Sequence, residues 1–357
     1  MGAFMEKAVQ EIWGLVETFN DKELTGWVNL AQGETYREIF LCVNGKPVQK
    51  IRTSGPIERD LPFAVHRFSL RMSSLWHYVS PNDKVSIKVN DHDLHIAGYG
   101  RVYSPLIAGV LTTSVLFTKL GRKYVFNQKG SLQLSKTVDL KWQKRTFDLY
   151  SMVREHLKAV FSVDLVVIYG TLLGAVRSGQ FIGHDHDFDV GFISKFSAPE
   201  EVRQEAIRIA ENLVTSGFQI TVKPSCIYVR HPSIPKAQID IGRIFLGQDS
   251  KLQTAFGFAG TTEYTADHFS GVVPIELAGS TVYSVSNPEV LLSCIYGDEW
   301  RIPNSGFNWD RERRRITRAA RLTKAEILSI AEFVEKHADV ETQEPDQPGS
   351  ANAEVKG

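Results

Sequence analysis

The stretch Asp187-Phe188-Asp189-Val190 alternates acidic and apolar residues. On an extended strand this sends Asp187 and Asp189 to one face and Phe188 and Val190 to the other, into a core. Two carboxylates about 7 Å apart on one face repel each other unless a cation lies between them. Hard oxygen ligands at that separation suit Mg2+ or Mn2+, which in turn hold phosphate oxygens. Taken alone, the pair also fits a solvated strand edge; its surroundings favour the metal. Upstream, Gly170-Thr171 follows the apolar run from Leu165 to Tyr169 and precedes Leu172-Leu173-Gly174. That puts a glycine turn and a hydroxyl at a strand-to-helix junction, where backbone N–H groups suit a phosphate. The run has neither the Gly-Lys-Ser/Thr of a P-loop nor the spacing of a dinucleotide fingerprint, so neither an ATPase nor a dehydrogenase is supported. Downstream, Asp240 stands in the apolar run QIDIGRIF, between Ile239 and Ile241. A carboxylate there is costly to bury unless it is paired or bound to metal. Asp240 is therefore a third carboxylate if its strand lies beside the first, or the ion-pair partner of an arginine such as Arg243.

Other polar residues gather around this set. His184, Asp185 and His186 immediately precede Asp187. HDHDFD begins like the HxHxDH of metallo-hydrolases, but that pattern needs Asp at 188 and His at 189, and zinc is set aside. Each histidine is either a general base or phosphate contact in the mouth of the site, or a polar loop residue. Asp185 is a comparable candidate for the base or for a group that orients the metal ligands. Arg177, on the helix expected after GTLLG, either meets a donor phosphate through its planar fork or serves a structural ion pair. A further basic run, Arg311, Arg313, Arg314, Arg315, Arg318 and Arg321, is either a solvated helix face or a contact for a polyanionic or lipid-linked acceptor at a membrane surface.

These residues need elements to hold them. Leu149, Val153, Leu157 and Val160 recur at helical spacing between Thr146 and Phe161, and Leu165 to Tyr169 is a run short enough for a buried strand. After the acidic segment, Ser197 and Glu200 read as a capping box with Pro199 in the first turn; the helix buries Val202, Ala206, Ile209 and Leu213 and stops at Gly217. Strands are expected over 218–223, 226–230 and 237–245, then a helix from Pro288 to Gly297 capped by Ser286 or Asn287. Earlier in the chain, Leu24 to Val28, Ile39 to Val43, Lys46 to Ile51 and Val85 to Val89 read as strands, with Asn44-Gly45 supplying a two-residue hairpin turn. Mixed strands and helices in this order indicate an α/β or α+β domain from about 140 to 320, preceded by a small β-sandwich. The expected divisions are a sandwich over 1–105, a connecting region over 106–145, a catalytic domain over 146–322 and a disordered tail over 339–357.

The sequence YGTLLGAVRSGQFIGHDHDFDVGF resembles the signature of the LicD family, to which the fukutin-type transferases are related. That signature usually reads Tyr-Gly-Thr-Leu-Leu-Gly, then Arg, then Phe-Ile-Pro-Trp-Asp-Asp-Asp-aliphatic-Asp. IDIGRIF resembles the family strand that carries a third acidic residue, and VLLSCIYGDEWRIP its late Leu, Tyr-Gly-Asp and Pro motif; the likeness covers about residues 140 to 310. The resemblance implies a nucleotidyltransferase fold. It also implies transfer of a phospho-substituent, such as phosphocholine or ribitol phosphate, from a CDP-activated donor to a sugar. It assigns Asp187, Asp189 and Asp240 to metal, and Gly170 and Thr171 to the phosphate-binding turn. Gly183-His184-Asp185-His186 departs from the usual Pro-Trp-Asp-Asp, so donor or acceptor differs there. The first strands are similar to β-sandwich modules that accompany some bacterial glycan-modifying transferases, and serve either carbohydrate contact or structure alone.

The whole chain narrows the partners. Lys plus Arg and Asp plus Glu are both 41, so no overall field draws the protein to nucleic acid or to an anionic membrane, and electrostatic recognition is local. Cys42, Cys226 and Cys294 are odd in number and widely spaced, and read as buried small residues in a reducing compartment. The N-terminal residues have no secretory pattern, and the most apolar run, Leu106 to Phe117, is shorter than the roughly 20 residues of a spanning helix. That run is expected to be buried between domains, with a membrane-surface contact as the alternative. The implied partners are a CDP-linked donor and a glycan acceptor, lipid-linked ones included, at a cytoplasmic location or the inner face of a membrane.

Overall fold

The computed structural model describes residues 13–30, 34, 37–53, 56–57, 64–303, 307 and 320–338. The basic run from Arg311 to Arg318 and the tail over 339–357 lie outside the described residues. The chain divides into two compact units, one of residues 1–144, 167–188 and 258–315, the other of residues 145–166, 189–257 and 316–357.

In the first unit, hairpin chemistry sets the early strands. Asn44 and Gly45, with φ of 50° and 76°, turn Glu38–Val43 back onto Lys46–Arg52 in antiparallel register. Asn90 and Asp91, at 46° and 66°, turn Val85–Val89 onto His92–Asp93. These positive angles are why Asn, Asp and Gly occupy the turns. The four strands form one sheet, and Pro56–Ile57, Val65–Arg71, Glu23–Asn29, Gly14–Phe19 and His95–Ile96 form a second, in that spatial order. Val16, Leu24, Val28 and Phe68 of one sheet share a buried cluster with Ile39, Leu41, Val43 and Ile87 of the other, which makes the pair a sandwich. At Gly26 the sheet leaves no room for a side chain, since a Cβ would lie 2.2 Å from the Leu15 carbonyl oxygen.

The second unit is built on a mixed sheet in the order Leu165–Val167, Asp189–Ile193, Ile239–Leu246, Cys226–Arg230, Gln219–Val222, with Leu252–Thr254 added beside Ile239–Leu246. Asp189–Ile193 and Ile239–Leu246 run parallel, and the next two pairings are antiparallel. The Pro199–Thr215 helix buries Val202, Ala206, Ile209 and Leu213, the stripe its periodicity marks. The α+β class with a mixed sheet and flanking helices is therefore what the chain adopts.

Several local expectations need correction. Ala198, not Ser197, caps the Pro199–Thr215 helix, with no side-chain cap bond; Pro199 in its first turn has no N–H to satisfy. The long helix begins earlier than Thr146, at Leu140, because Asp139 accepts from the Trp142 amide at 3.1 Å and starts it. The strand after it ends at Val167, since Tyr169 already opens the next helix. Asn287 does precede the Pro288–Tyr296 helix, yet its amide donates to the His268 carbonyl at 2.7 Å instead of capping. The run Leu106–Phe117 is buried only toward its end, at Leu116; Leu106, Ile107 and Val110 are 88%, 83% and 84% exposed.

Candidate active site

The carboxylates meet through strand register. Asp189 opens the Asp189–Ile193 strand and sits directly across from Asp240 on the parallel Ile239–Leu246 strand. Paired residues of neighbouring strands share a face, so two carboxylates stand side by side with apolar Val190 and Ile241 turned to the other face. Both of those are buried, which pins the register, since a one-residue slip would exchange the acidic and apolar faces. Asp187 lies in the segment leading into the strand, one residue short of Asp189, with Phe188 fully buried between them. Carboxylate oxygens of Asp187, Asp189 and Asp240 all lie within 4.8 Å of one another, closer than an extended strand alone would bring Asp187 and Asp189.

The rest of the acidic face belongs to the antiparallel neighbour. Tyr228 pairs with Asp240 and Cys226 with Gly242, so both side chains look out on the side of Asp189 and Asp240. Cys226 is thus not the buried small residue expected of it. Burial first, and then the negative charge of Asp240, push its thiol up to about 11, which leaves it protonated and unreactive. Gln238, two residues before Asp240 on the same strand direction, donates from Nε2 to Asp240 Oδ1 at 2.7 Å. Arg243 is not the ion-pair partner that its proximity suggested. Three residues on, it points to the opposite face, where it is 1% exposed and donates to the Pro224 carbonyl.

Upstream of Asp187, the departing segment has its own supports. The Gly183 carbonyl accepts from the Lys136 amide at 2.9 Å, and a Cβ at Gly183 would meet Ser135 Oγ at 2.6 Å. Gln133 Nε2 donates to the Asp185 carbonyl at 2.6 Å, and its own oxygen accepts from Asn127 at 2.9 Å. Gln133 and Gln238 are the supporting groups that sequence reading missed. Gln238 carries a signal, its i, i+2 spacing to Asp240, whereas Gln133 is joined to Asp185 only through the tertiary fold. The Asp185 carboxyl is held well above the usual carboxylate range, by burial and then by the charge of Asp187 beside it. His186 stands with Nε2 3.8 Å from Asp187 Oδ2, and its Nδ1 is buried with no partner among the described residues. Burial, followed by the charge of Arg177, lowers His184, which keeps its ring neutral.

Gly170 and Thr171 lie in the first turn of the Tyr169–Ser178 helix, capped by Ile168 with no side-chain bond. The glycine turn expected at a strand-to-helix junction is therefore already helical, with Tyr169 rather than Gly170 at positive φ, 49°. Arg177 lies in the last turn of that helix and makes no ion pair among the described residues. Burial lowers its basicity, opposed by the neighbouring phenol of Tyr296. Tyr296 is the first residue of the YGDEW segment, so the late motif closes on this helix. In the rest of that segment Trp300 is buried and Glu299 pairs with Arg52 at 3.1 Å.

The oxygen-only set of Asp187, Asp189 and Asp240 fits a hard divalent cation, since three carboxylates this close are held together at a Coulombic cost that a cation removes. Asp185, His186 and Asp187 also bring potential ligand atoms within 4.8 Å of one another. A model of the LicD/FKTN/FKRP nucleotidyltransferase domain matches residues 162–282, a span that includes Asp185, Asp187, Asp189 and Asp240 together with Gly170, Thr171 and Arg177. No curated protein matches the chain. Among solved structures, the lincomycin-bound crystal structure of the lincosamide antibiotic adenylyltransferase LnuA is 18% identical, with a TM-score of 0.28, and covers 54% of this chain and 95% of its own. That superposition is too loose to relate one residue to another. Over residues 162–282, the chain is thus similar to the LicD family.

Proposed function

We propose that this protein transfers a phosphorus-containing group, of the phospho-alditol or phosphocholine type, from a CDP-activated donor to a sugar hydroxyl of a cell-surface glycan. The observation that carries this reading is the register of Asp189 against Asp240, with an Asp187 oxygen in the same 4.8 Å cluster. Asp187, Asp189 and Asp240 would hold Mg2+ or Mn2+. Such an ion, when bound, supplies positive charge to the phosphate oxygens of the donor.

The remaining work falls to side chains. Arg177, which has no carboxylate partner among the described residues, offers its planar fork to a donor phosphate, and the first helical turn at Gly170 and Thr171 offers backbone N–H groups. His186 is positioned to take the proton of the attacking hydroxyl, because its ring is anchored only by the Asp187 contact at 3.8 Å. Asp185, hydrogen-bonded to Asp187, orients that carboxylate. Attack at the distal phosphorus, in line with the leaving oxygen, releases CMP.

The test is CMP release from a panel of CDP-ribitol, CDP-glycerol and CDP-choline with Mg2+ or Mn2+ and a sugar acceptor. Release by the wild type that Asp187→Ala and Asp189→Ala abolish supports the reading. Equal release by all three proteins sinks it. Pyrophosphate release from a nucleoside triphosphate, in place of CMP release, would assign the site to nucleotidyl transfer instead.

A further inference from the structure

The run from Leu106 to Leu111 combines features that a loop on an ordinary surface does not. Leu106, Ile107 and Val110 are 88%, 83% and 84% exposed, and Leu111 adds a fourth aliphatic side chain at 40%. Single exposed aliphatics are commonplace, but four within six residues leave apolar surface in water with no compensating contact.

The loop is held, not loose. The Gly109 amide donates to the Val79 carbonyl at 2.8 Å, and the Leu111 amide donates to the His77 carbonyl at 2.8 Å. A Cβ at Gly109 would lie 2.4 Å from the Trp76 carbonyl oxygen and from the His77 carbonyl carbon, so only glycine lets the loop press this closely onto the 76–79 turn. Immediately afterwards Thr112 caps the Thr113–Gly121 helix through its hydroxyl. The backbone is therefore tied down at both ends while the aliphatic side chains point away.

Charge around the loop has one sign. Between Asp93 and Asp139 the chain holds Arg101, Lys119, Arg122, Lys123 and Lys129, besides a buried Lys136 that pairs with Asp139, and no Asp or Glu, within a protein of formal net charge +0. Lys46 adds a cation from the neighbouring sheet, its Nζ 5.4 Å from the centre of the Phe117 ring on the helix. Lys119 lies over Tyr78 and Tyr124, at 5.7 and 5.2 Å. The acidic group nearest in contact is Asp83, which Thr113 approaches at 3.4 Å; it is buried, and its oxygens accept from Asn44 and Ser80.

We propose that this loop, with its ring of cations, docks the protein on an anionic phospholipid surface. Leu106, Ile107 and Val110 enter the boundary between headgroups and acyl chains, and the lysines and arginines around them meet the headgroup phosphates. A rigid aliphatic tip ringed by cations matches that boundary in both polarity and charge. A second copy of the chain is the less suitable occupant, because two such faces would bring cation against cation. The inference is independent of the transfer reaction.

Co-flotation of the full chain with vesicles tests it, using phosphatidylcholine alone and phosphatidylcholine containing one third phosphatidylglycerol. The wild type is expected to float with the anionic vesicles, weakly or not at all with the neutral ones, and less as salt rises. Replacing Leu106, Ile107 and Val110 together by Glu, or by Ser in a second variant, is expected to reduce flotation at least about tenfold. Both leave the folded state intact by circular dichroism, since the three side chains are exposed already. Lys119→Glu with Arg122→Glu and Lys123→Glu is expected to abolish the preference for anionic vesicles. Equal flotation of wild type and triple Glu variant overturns the proposal, as does equal binding to both vesicle types. So does a wild-type dimer that the triple variant converts to a monomer by light scattering, because the loop would then be an interface between copies.

Discussion

The sandwich unit has a buried carboxylate and the mixed sheet a half-buried set, and they treat them in opposite ways. In the sandwich, Asp83 accepts from Asn44 Nδ2 at 2.7 Å and from the Ser80 amide and hydroxyl at 2.8 and 2.7 Å. Burial raises its proton affinity, but these bonds outweigh burial and hold the carboxyl below its ordinary value. In the mixed sheet, Asp189 and Asp240 are set against each other by strand register, with Asp187 in the same cluster. A carboxylate matched by donors stabilises a turn. Three carboxylates gathered this closely repel one another at a cost that folding alone does not require, and their grouping therefore points to a ligand.

The comparison breaks most visibly through substitution. Asp189→Ala or Asp240→Ala is expected to lower turnover by about 10^2 to 10^3-fold or more, while thermal unfolding in the absence of divalent metal stays level or rises, because like-charge repulsion is relieved. A clear fall in metal-free melting temperature would place these aspartates with Asp83 as structural groups. Asp83→Ala is expected to do the reverse, costing about 2 to 4 kcal/mol in urea unfolding as the Asn44, Ser80 and Thr113 donors lose their acceptor, with turnover per folded molecule unchanged. Its contribution is also pH-dependent. Because the folded carboxyl is held below its ordinary value, the stability is present above that value and is lost as pH falls through the folded one. Gln238→Ala removes one neutral donor from Asp240 and is expected to weaken activity by about three- to tenfold, with a raised metal requirement; unchanged metal dependence would make Gln238 a bystander.

The smallest effect concerns Glu205, a buried carboxylate in the second unit that receives the Ser194 hydroxyl at 2.5 Å. Burial pushes its carboxyl up, more than the Ser194 bond lowers it. Its stabilising contribution is thus present below the ordinary Glu value and is lost as pH rises through the folded one. Glu205→Gln is expected to flatten that part of the stability profile, by less than about 1 kcal/mol, measured by urea unfolding between pH 4 and 8. An unaltered profile would show that Glu205 ionises freely in the folded protein.

Local chemistry made much of this legible. Asn44-Gly45 and Asn90-Asp91 call for positive φ and so for hairpins, and the stripe Val202, Ala206, Ile209, Leu213 calls for a helix with one buried face. The alternation across Asp187 to Val190, with Asp240 amid isoleucines, identified the acidic set, because burying a carboxylate in an apolar strand demands a reason. Residues far apart in sequence were harder. Nothing local to Gln133 signals that it reaches Asp185, and nothing local to Leu106, Ile107 and Val110 distinguishes a buried run from an exposed one. The capping box at Ser197 was a pattern match that the backbone at Ala198 did not use.

By itself, then, the sequence determined residue chemistry and period: three carboxylates, a glycine turn and hydroxyl, the LicD signature, and the strands and helices that short-range sterics and hydrophobic spacing dictate. Tertiary structure alone decided which of these meet. The pairing of Asp189 with Asp240 is a choice of register between strands separated by the Pro199–Thr215 helix and two further strands. Such a pairing is selected by burying Val190 and Ile241 together, an energy that exists only once both strands are in place.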